Sequence, residues 1–266
     1  MRALALTLIL LSLSGCSFRW DWLQYLRARR AMIQHDYKGA LVLFENVVNH
    51  QPEGPKALAS ARFGSRLAQL EVKNYNQAVF FYRYLILRSP DPDERKSAQR
   101  YIAQIYFENM HDYAQAVIEY ERLLKLDVSP AEAYKFRLNL AKSHFQLNNL
   151  EQVGAETDLL LDQKLEPDQI FEVRVLKANV LVAAKKLPEA AAQWEQILKD
   201  FPEKSRKENM GLNLVVCYEE MKDFARAIDT LEKMRVDYPN PEFLDLRIAR
   251  LKERKSNQPG AQGWRR

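Results

Sequence analysis

A small residue returns every 37 or 38 positions along most of this chain, and no other feature limits its fold as much. Ala40, Ala78, Ala116, Val153, Ala190 and Ala227 are separated by 38, 38, 37, 37 and 37 residues. Three positions before them stand Tyr37, Tyr75, Tyr113, Leu150, Leu187 and Phe224, and four positions after them Phe44, Tyr82, Tyr120, Thr157, Trp194 and Leu231. Spacings of three and four place these side chains on one helix face. A methyl group at the centre of that face lets a second helix axis approach, while the larger residues fill the space on either side. Pro52, Pro90, Pro130, Pro167, Pro202 and Pro239 punctuate the series. Proline cannot continue a helix, so each marks a stop and a new start.

The stretch Ile102 to Leu124 shows one repeat in full. Ile102, Ala103 and Tyr106 share a face of a first helix, His111-Asp112-Tyr113 turns the chain, and Ala116, Tyr120, Leu123 and Leu124 form the inner face of a second. One such pair cannot bury its apolar face, so like pairs must stack on both sides. After Pro239 and Pro241, Phe243, Leu244, Ile248 and Leu251 line one side of a last helix and Arg247, Arg250, Lys252 and Lys255 the other. An apolar face backed by charge is what the open end of a stack needs. The chain is therefore expected to be all-α.

Leu140-Ala141 with His144, then Val153 and Thr157, and Leu214-Val215 with Tyr218, then Ala227 and Leu231, carry the spacing best. The pattern resembles the tetratricopeptide repeat, over about residues 21 to 241. The resemblance implies a right-handed superhelical solenoid of about six helix pairs with a capping helix. Two departures stand out. The period exceeds the ~34 residues typical of that family, and the small residue of the first helix in repeat two is Arg66 or Gly64, depending on register. In the family, first helices line an inner groove. By that register Arg100, Gln104, Phe107, Lys142, Phe145 and Asn179 fall there, with Val182, Val216 and Glu219. Such a mixture of amide, basic and aromatic groups suits an extended peptide.

The amino terminus has an address of its own. Arg2 precedes an apolar run from Ala3 to Leu13, whose ~16 Å as a helix falls short of the ~30 Å bilayer core. It reads as a secretory leader. Leu13-Ser14-Gly15-Cys16 follows and resembles the bacterial lipobox. That resemblance implies a diacylglycerol thioether on Cys16 as the mature first residue. It divides the chain into leader 1–15, lipidated tether 16–20, solenoid 21–255 and a disordered tail 256–266. Ser17, where an Asp would favour inner-membrane retention, points by the same analogy to the periplasmic face of the outer membrane. Either Trp20 and Trp22, with Arg19, Arg27, Arg29 and Arg30, meet lipid headgroups, or Trp22, Leu26 and Ile33 cap the core of the first repeat while the arginines are solvated. Both readings stay open in the sequence.

Several chemistries lack the residues they need. The formal charge is +5, with both signs interspersed, and no nucleic-acid-reading motif occurs. The four histidines have no helical metal spacing, and no phosphate loop, nucleophile elbow or catalytic constellation is present, so no enzyme activity and no cofactor are expected. Cys217, on the inner face of repeat six, reads as a packing thiol. One second helix is unusual: in repeat two, Phe80, Tyr84 and Leu87 add a second apolar stripe. It is either covered within the fold or a docking surface, including for a second copy of the chain. Gly154 marks the expected bend or soft point.

These features together predict a lipid-anchored scaffold that binds other cell-envelope proteins or extended peptides. The layout is similar to the BamD lipoproteins of outer-membrane β-barrel assembly and to the lipoprotein pilotins of type IV pili. The alternative is a structural envelope protein that self-associates through the Phe80-Tyr84-Leu87 stripe or links membrane to cell wall.

Overall fold

The turns between paired helices are built from side chains that few sequence rules would flag. His35, Lys73, His111, Asn148, Lys185 and Lys222 all take a left-handed backbone, with φ between 52° and 61°. None is glycine, so each accepts strain of order 1 kcal/mol that the surrounding packing must hold. In four of these six turns the next residue caps the following helix with its side chain. Asp36, Asn74, Asp112 and Asp223 accept hydrogen bonds from the backbone N–H of Gly39, Gln77, Gln115 and Arg226 at 2.9, 3.3, 3.1 and 3.1 Å. Each satisfies one of the donors a helix start leaves open.

The computed structural model describes residues 20–258. The leader, Cys16, the tether up to residue 19 and residues 259–266 of the tail lie outside that range. The described helices are α1 (20–33), α2 (Tyr37–His50), α3 (Ala57–Arg66), α4 (Tyr75–Arg88), α5 (Pro92–Gln104), α6 (Tyr113–Leu124), α7 (Pro130–Gln146), α8 (Leu150–Leu161), α9 (Pro167–Ala183), α10 (Leu187–Asp200), α11 (Pro202–Lys207), α12 (Gly211–Glu220), α13 (Phe224–Met234) and α14 (Pro241–Ser256). No strand occurs among the described residues. The chain forms two compact units that meet within α7, one up to Asn139 and one from Leu140. In the N-terminal unit α2 to α6 pack in chain order; in the C-terminal unit α8, α9, α10, α12, α13 and α14 do the same.

The predicted seam is the core. Ala40, Ala78, Ala116, Val153, Ala190 and Ala227 are all fully buried, and so are their first-helix counterparts Ala28, Ala103, Ala141, Ala178 and Val215. In repeat two the first-helix slot falls to Ser65, also buried. This corrects the choice between Arg66 and Gly64. Arg66 is exposed, and Gly64 faces the ring of Phe81, where an added Cβ would lie 2.6 Å from the ring tip. Repeat two has moved volume across the seam: Gly64 stands where Ile102, Leu140 and Leu214 stand elsewhere, and buried Phe81 fills the gap from α4.

The change of period from 38 to 37 has a structural cause. From first-helix slot to second-helix slot is 12 residues in repeats one, four, five and six, but 13 in repeats two and three (Ser65 to Ala78, Ala103 to Ala116). The first helices of those two repeats end in π turns, Leu67–Val72 and Ile105–Asn109. A π turn takes one residue more than an α turn over the same path. The closing backbone bond records the difference. Asp36 to Ala31, Asn149 to His144, Lys186 to Leu181 and Asp223 to Tyr218 each span five residues, while Asn74 to Ala68 and Asp112 to Tyr106 span six.

Two further expectations meet the structure. α8 runs unbroken through Gly154, and a Cβ built there touches nothing within 4 Å, so this glycine weakens the helix without bending it. The first helix of repeat six is broken into α11 and α12 around Asn209 at φ 55°. The capping helix α14 buries Leu244, Ile248 and Leu251 as its pattern requires, while Phe243 stays half exposed against Tyr238.

Candidate partner-binding faces

In the N-terminal unit the first helices α3 and α5 stand side by side over α4. Between them lies a cleft of about 630 Å³ whose lining includes Phe63, Arg66, Tyr82, Ser97 and Tyr101. The rings of Tyr82 and Tyr101 stack with centres 5.1 Å apart. The Tyr82 hydroxyl donates to Gln69 Oε1 at 2.7 Å, and burial, with Tyr101 beside it, pushes its ionisation up to about 12. Arg62 grips Glu94 through two bonds of 2.7 and 2.8 Å, which holds the Glu94 carboxyl below its usual range. Arg66 joins no ion pair among the described residues and is exposed.

A second recess of about 220 Å³ opens where α5 meets the start of α7, lined by Lys96, Ser97, Arg100, Glu132 and Phe136, with Asp93 at its edge. Glu132 caps α7. It accepts from the Ser129 N–H at 3.1 Å, the Ser129 hydroxyl at 2.9 Å and Lys96 Nζ at 3.1 Å. The Ser129 backbone contributes most to holding this carboxyl down at about 2, then the Ser129 hydroxyl and Lys96. Lys96 is thereby engaged, and Arg100 is left with a stacking contact 5.5 Å above the Tyr101 ring. The face thus offers two uncommitted guanidinium groups, Arg66 and Arg100, around a stacked tyrosine pair.

The residues expected from sequence divide between the two units. Arg100 lies on the face just described and Gln104 is half-buried behind it on α5. Phe107 packs edge-on against Tyr113 and Tyr120 at 5.8 and 6.1 Å, so it fills the joint of its own helix pair. In the C-terminal unit Lys142 is bound to Glu172 at 2.7 Å, and Phe145 and Asn179 are half-buried. The stripe on α4 splits as well. Phe80 lies half-buried against Phe81 with ring centres 5.1 Å apart, and the Tyr84 hydroxyl donates to the carbonyl of Pro52. Only Leu87, 78% exposed, is open. Phe63, Tyr101 and Phe136 were not singled out, and Arg66 only as a seam candidate; Phe63, Arg66 and Tyr101 each flank a seam residue rather than repeating with it. The signal was an aromatic or arginine beside the first-helix slot in successive repeats.

A cavity of about 430 Å³ sits in the C-terminal unit at the break between α11 and α12, lined among others by Ser205, Asn209, Gly211, Tyr218 and Met234. Its charges are spent on one another: Lys233 with Asp229 at 2.7 Å, Arg206 with Asp237 at 3.4 Å, and Arg226 with Asp223 at 2.6 Å. The Tyr218 hydroxyl donates to Glu195, and burial together with that carboxylate pushes it up to about 12. Cys217, next to it, is fully buried, and burial raises its thiol.

Comparison with known proteins agrees with this geometry. The chain matches the tetratricopeptide repeat over residues 105–152 and 211–241. It is similar to the solved structure of a tetratricopeptide repeat protein from Parabacteroides merdae, at 16% identity and TM-score 0.50 over 91% of this chain and 89% of that one. PilW, a widely conserved type IV pilus biogenesis factor, matches at 14% identity and TM-score 0.53 over 86% of this chain and 98% of its own. Naa15/Naa10 bound to HypK-THB matches at 14% and 0.57, over 88% of this chain and 39% of that one. At such identities the likeness is one of fold. No curated protein sequence matches the chain.

Proposed function

We propose that this chain, which carries tetratricopeptide repeats, is a lipid-anchored periplasmic scaffold that binds other cell-envelope proteins, in outer-membrane protein assembly or in pilus or secretion machinery. The observation that carries the reading is the face of α3, α5 and α7 in the N-terminal unit. Most exposed arginines in the described chain are spent on carboxylates, as Arg88 is on Glu53 and Arg235 on Asp245. Exposed Arg66 and half-buried Arg100 are not, and they flank the half-buried rings of Phe63 and Tyr101. An extended segment with an acidic and an aromatic or apolar side chain would pair with those guanidinium groups and stack on Tyr101. Binding of this kind needs no proton transfer or cofactor. The leader and the Leu13-Ser14-Gly15-Cys16 tetrad support the anchor, and the likeness in fold to a pilus biogenesis factor is compatible with an envelope role. Self-association through the α4 stripe has less to work with, since Phe80 and Tyr84 are engaged within the unit.

Affinity purification of the lipidated protein from its own cells tests this, with Cys16→Ala as control. The expected result is a small set of envelope proteins that is retained by the wild type and depleted when the chain is not anchored. Recovery of the chain alone, or of a homodimer alone, contradicts it.

A further inference from the structure

The first helix turns its apolar side outward. On α1, Trp22, Leu26 and Ile33 are spaced by four and seven residues and so share one stripe. They are 45%, 45% and 76% exposed, with Leu23 beside them at 45%. The core of the unit takes the opposite side: Ala28 is fully buried and Tyr25 packs against Phe44 and Phe63. Trp20 turns inward too and stacks on His50 at 4.4 Å. The expectation that Trp22, Leu26 and Ile33 cap the core of the first repeat is therefore corrected: all three face outward, and Trp20 is the tryptophan that turns in.

The charges around the stripe have one sign. Arg27, Arg29 and Arg30 are exposed on the same helix, and Lys56 places its ammonium 3.9 Å over the Trp22 ring. Arg29 stacks on Phe63 at 4.4 Å. Arg27 and Arg30 join no ion pair among the described residues, and the only acidic residue of α1, Asp21, is buried. Exposed tryptophan and aliphatic groups ringed by unpaired arginine are complementary to the interface of an anionic bilayer. Reach points the same way. Three residues separate Cys16 from Trp20, four steps and at most ~14 Å of chain, so an acylated Cys16 would hold α1 at headgroup depth.

We propose that the outward face of α1, centred on Trp22, Leu26 and Ile33 and flanked by Arg27 and Arg30, lies against an anionic lipid surface and fixes how the N-terminal unit stands on the membrane. It rests on the lipid-anchored reading for where the chain resides, and its test separates the two.

The lipidated protein is reconstituted into phosphatidylglycerol-containing vesicles with a polarity-sensitive dye on Leu26→Cys, and with Leu159→Cys, equally exposed in the C-terminal unit, as control. The Leu26 dye should shift to an apolar emission and the Leu159 dye should not. The shift should fall by more than half in phosphatidylcholine vesicles and in Arg27→Gln/Arg30→Gln, since losing two basic residues weakens contact with an anionic surface about thirtyfold. Both arginines lack internal partners, so the variant keeps its fold, which circular dichroism checks. An aqueous emission at Leu26 on a chain whose Cys16 is acylated by mass spectrometry overturns this proposal and leaves the anchor standing. An unmodified Cys16, with arginine-dependent sedimentation on the anionic vesicles, does the reverse. A shift that appears without lipid and grows with protein concentration means a second copy covers the face, and also overturns it.

Discussion

Repeats two and three, in the N-terminal unit, and repeats four to six, whose seams lie in the C-terminal unit, bury the same seam with chains of different length. The slots are alike: alanine, valine or serine on the first helix and alanine or valine on the second, all buried. What differs is the end of the first helix, a π turn in repeats two and three and a plain α turn in the others. Packing fixes which residues meet across a seam, because shifting a helix by one residue rotates its buried face by ~100°. It fixes the path between seams less tightly. An extra residue is therefore held where the helix can widen, and the left-handed turn and cap beyond it keep their geometry.

The sharpest way to break this comparison is to remove one residue at each place. Deleting exposed Glu108 lets the π turn of repeat three close as an α turn, and stability should change by about 1 kcal/mol or less. Deleting exposed Glu220, at the end of α12 where there is no slack, should pull the cap at Asp223 out of place and cost repeat six about 3 kcal/mol or more. Urea unfolding followed by circular dichroism gives both numbers. Equal losses would mean the π turns are not where the extra residue resides.

Two glycines, one on a first helix and one on a second, sharpen it next. Gly64→Ala drives a methyl into the buried Phe81 ring and should destabilise by about 1–3 kcal/mol. Gly154→Ala meets open space and should stabilise by about 0.5–1 kcal/mol. Gly64→Ala combined with Phe81→Leu should recover part of the loss if volume has been exchanged across that seam.

Titration separates the units more gently. Tyr82 and Tyr120 in the N-terminal unit and Tyr218 in the C-terminal unit are all pushed up to about 12 by burial. Folding thus favours their protonated form. That share of stability is fully present below the unfolded value of about 10 and is lost as pH rises through about 12. Phenolate absorbance should show these three ionising together with unfolding, and Tyr218→Phe should remove only the C-terminal unit's share. The smallest effect belongs to Glu132. Its carboxyl is held at about 2, so its contribution is present above the unfolded value of about 4.3 and fades as pH falls through 2. Ser129→Ala keeps the backbone donor and removes the hydroxyl, so there the acid-side loss should be smaller and complete at a higher pH.

The seam was plain in the sequence because apolar burial imposes a strict spacing, and six copies of it reinforce one another. Ala40 through Ala227, the prolines and the α14 face could all be read directly. The turn conformation could not, since His35, Lys73 and His111 enter the left-handed region through tertiary packing and carry no glycine signature. The candidate face was half legible. Arg100 was identified by register, but Tyr101 and Arg66 lie on the flank of the seam, where only a neighbouring helix determines what faces what. Phe107 looked like an open pocket because its spacing cannot reveal that Tyr113 and Tyr120 close over it. The break before α12 was also hidden: Asn209 takes φ 55°, as asparagine readily does at a helix end, but no proline marks the stop.

A photo-crosslinking residue at Ser97, in the cleft of the N-terminal unit, tests the binding role most directly, with one at exposed Glu121 on α6 as its control. In the cells that make the protein, Ser97 should yield a discrete adduct with another envelope protein. The adduct should fall at least tenfold in Arg66→Glu/Arg100→Glu, and Glu121 should yield none. Adducts of equal strength from both positions, or an adduct at Ser97 indifferent to the two arginines, would contradict a partner-binding cleft.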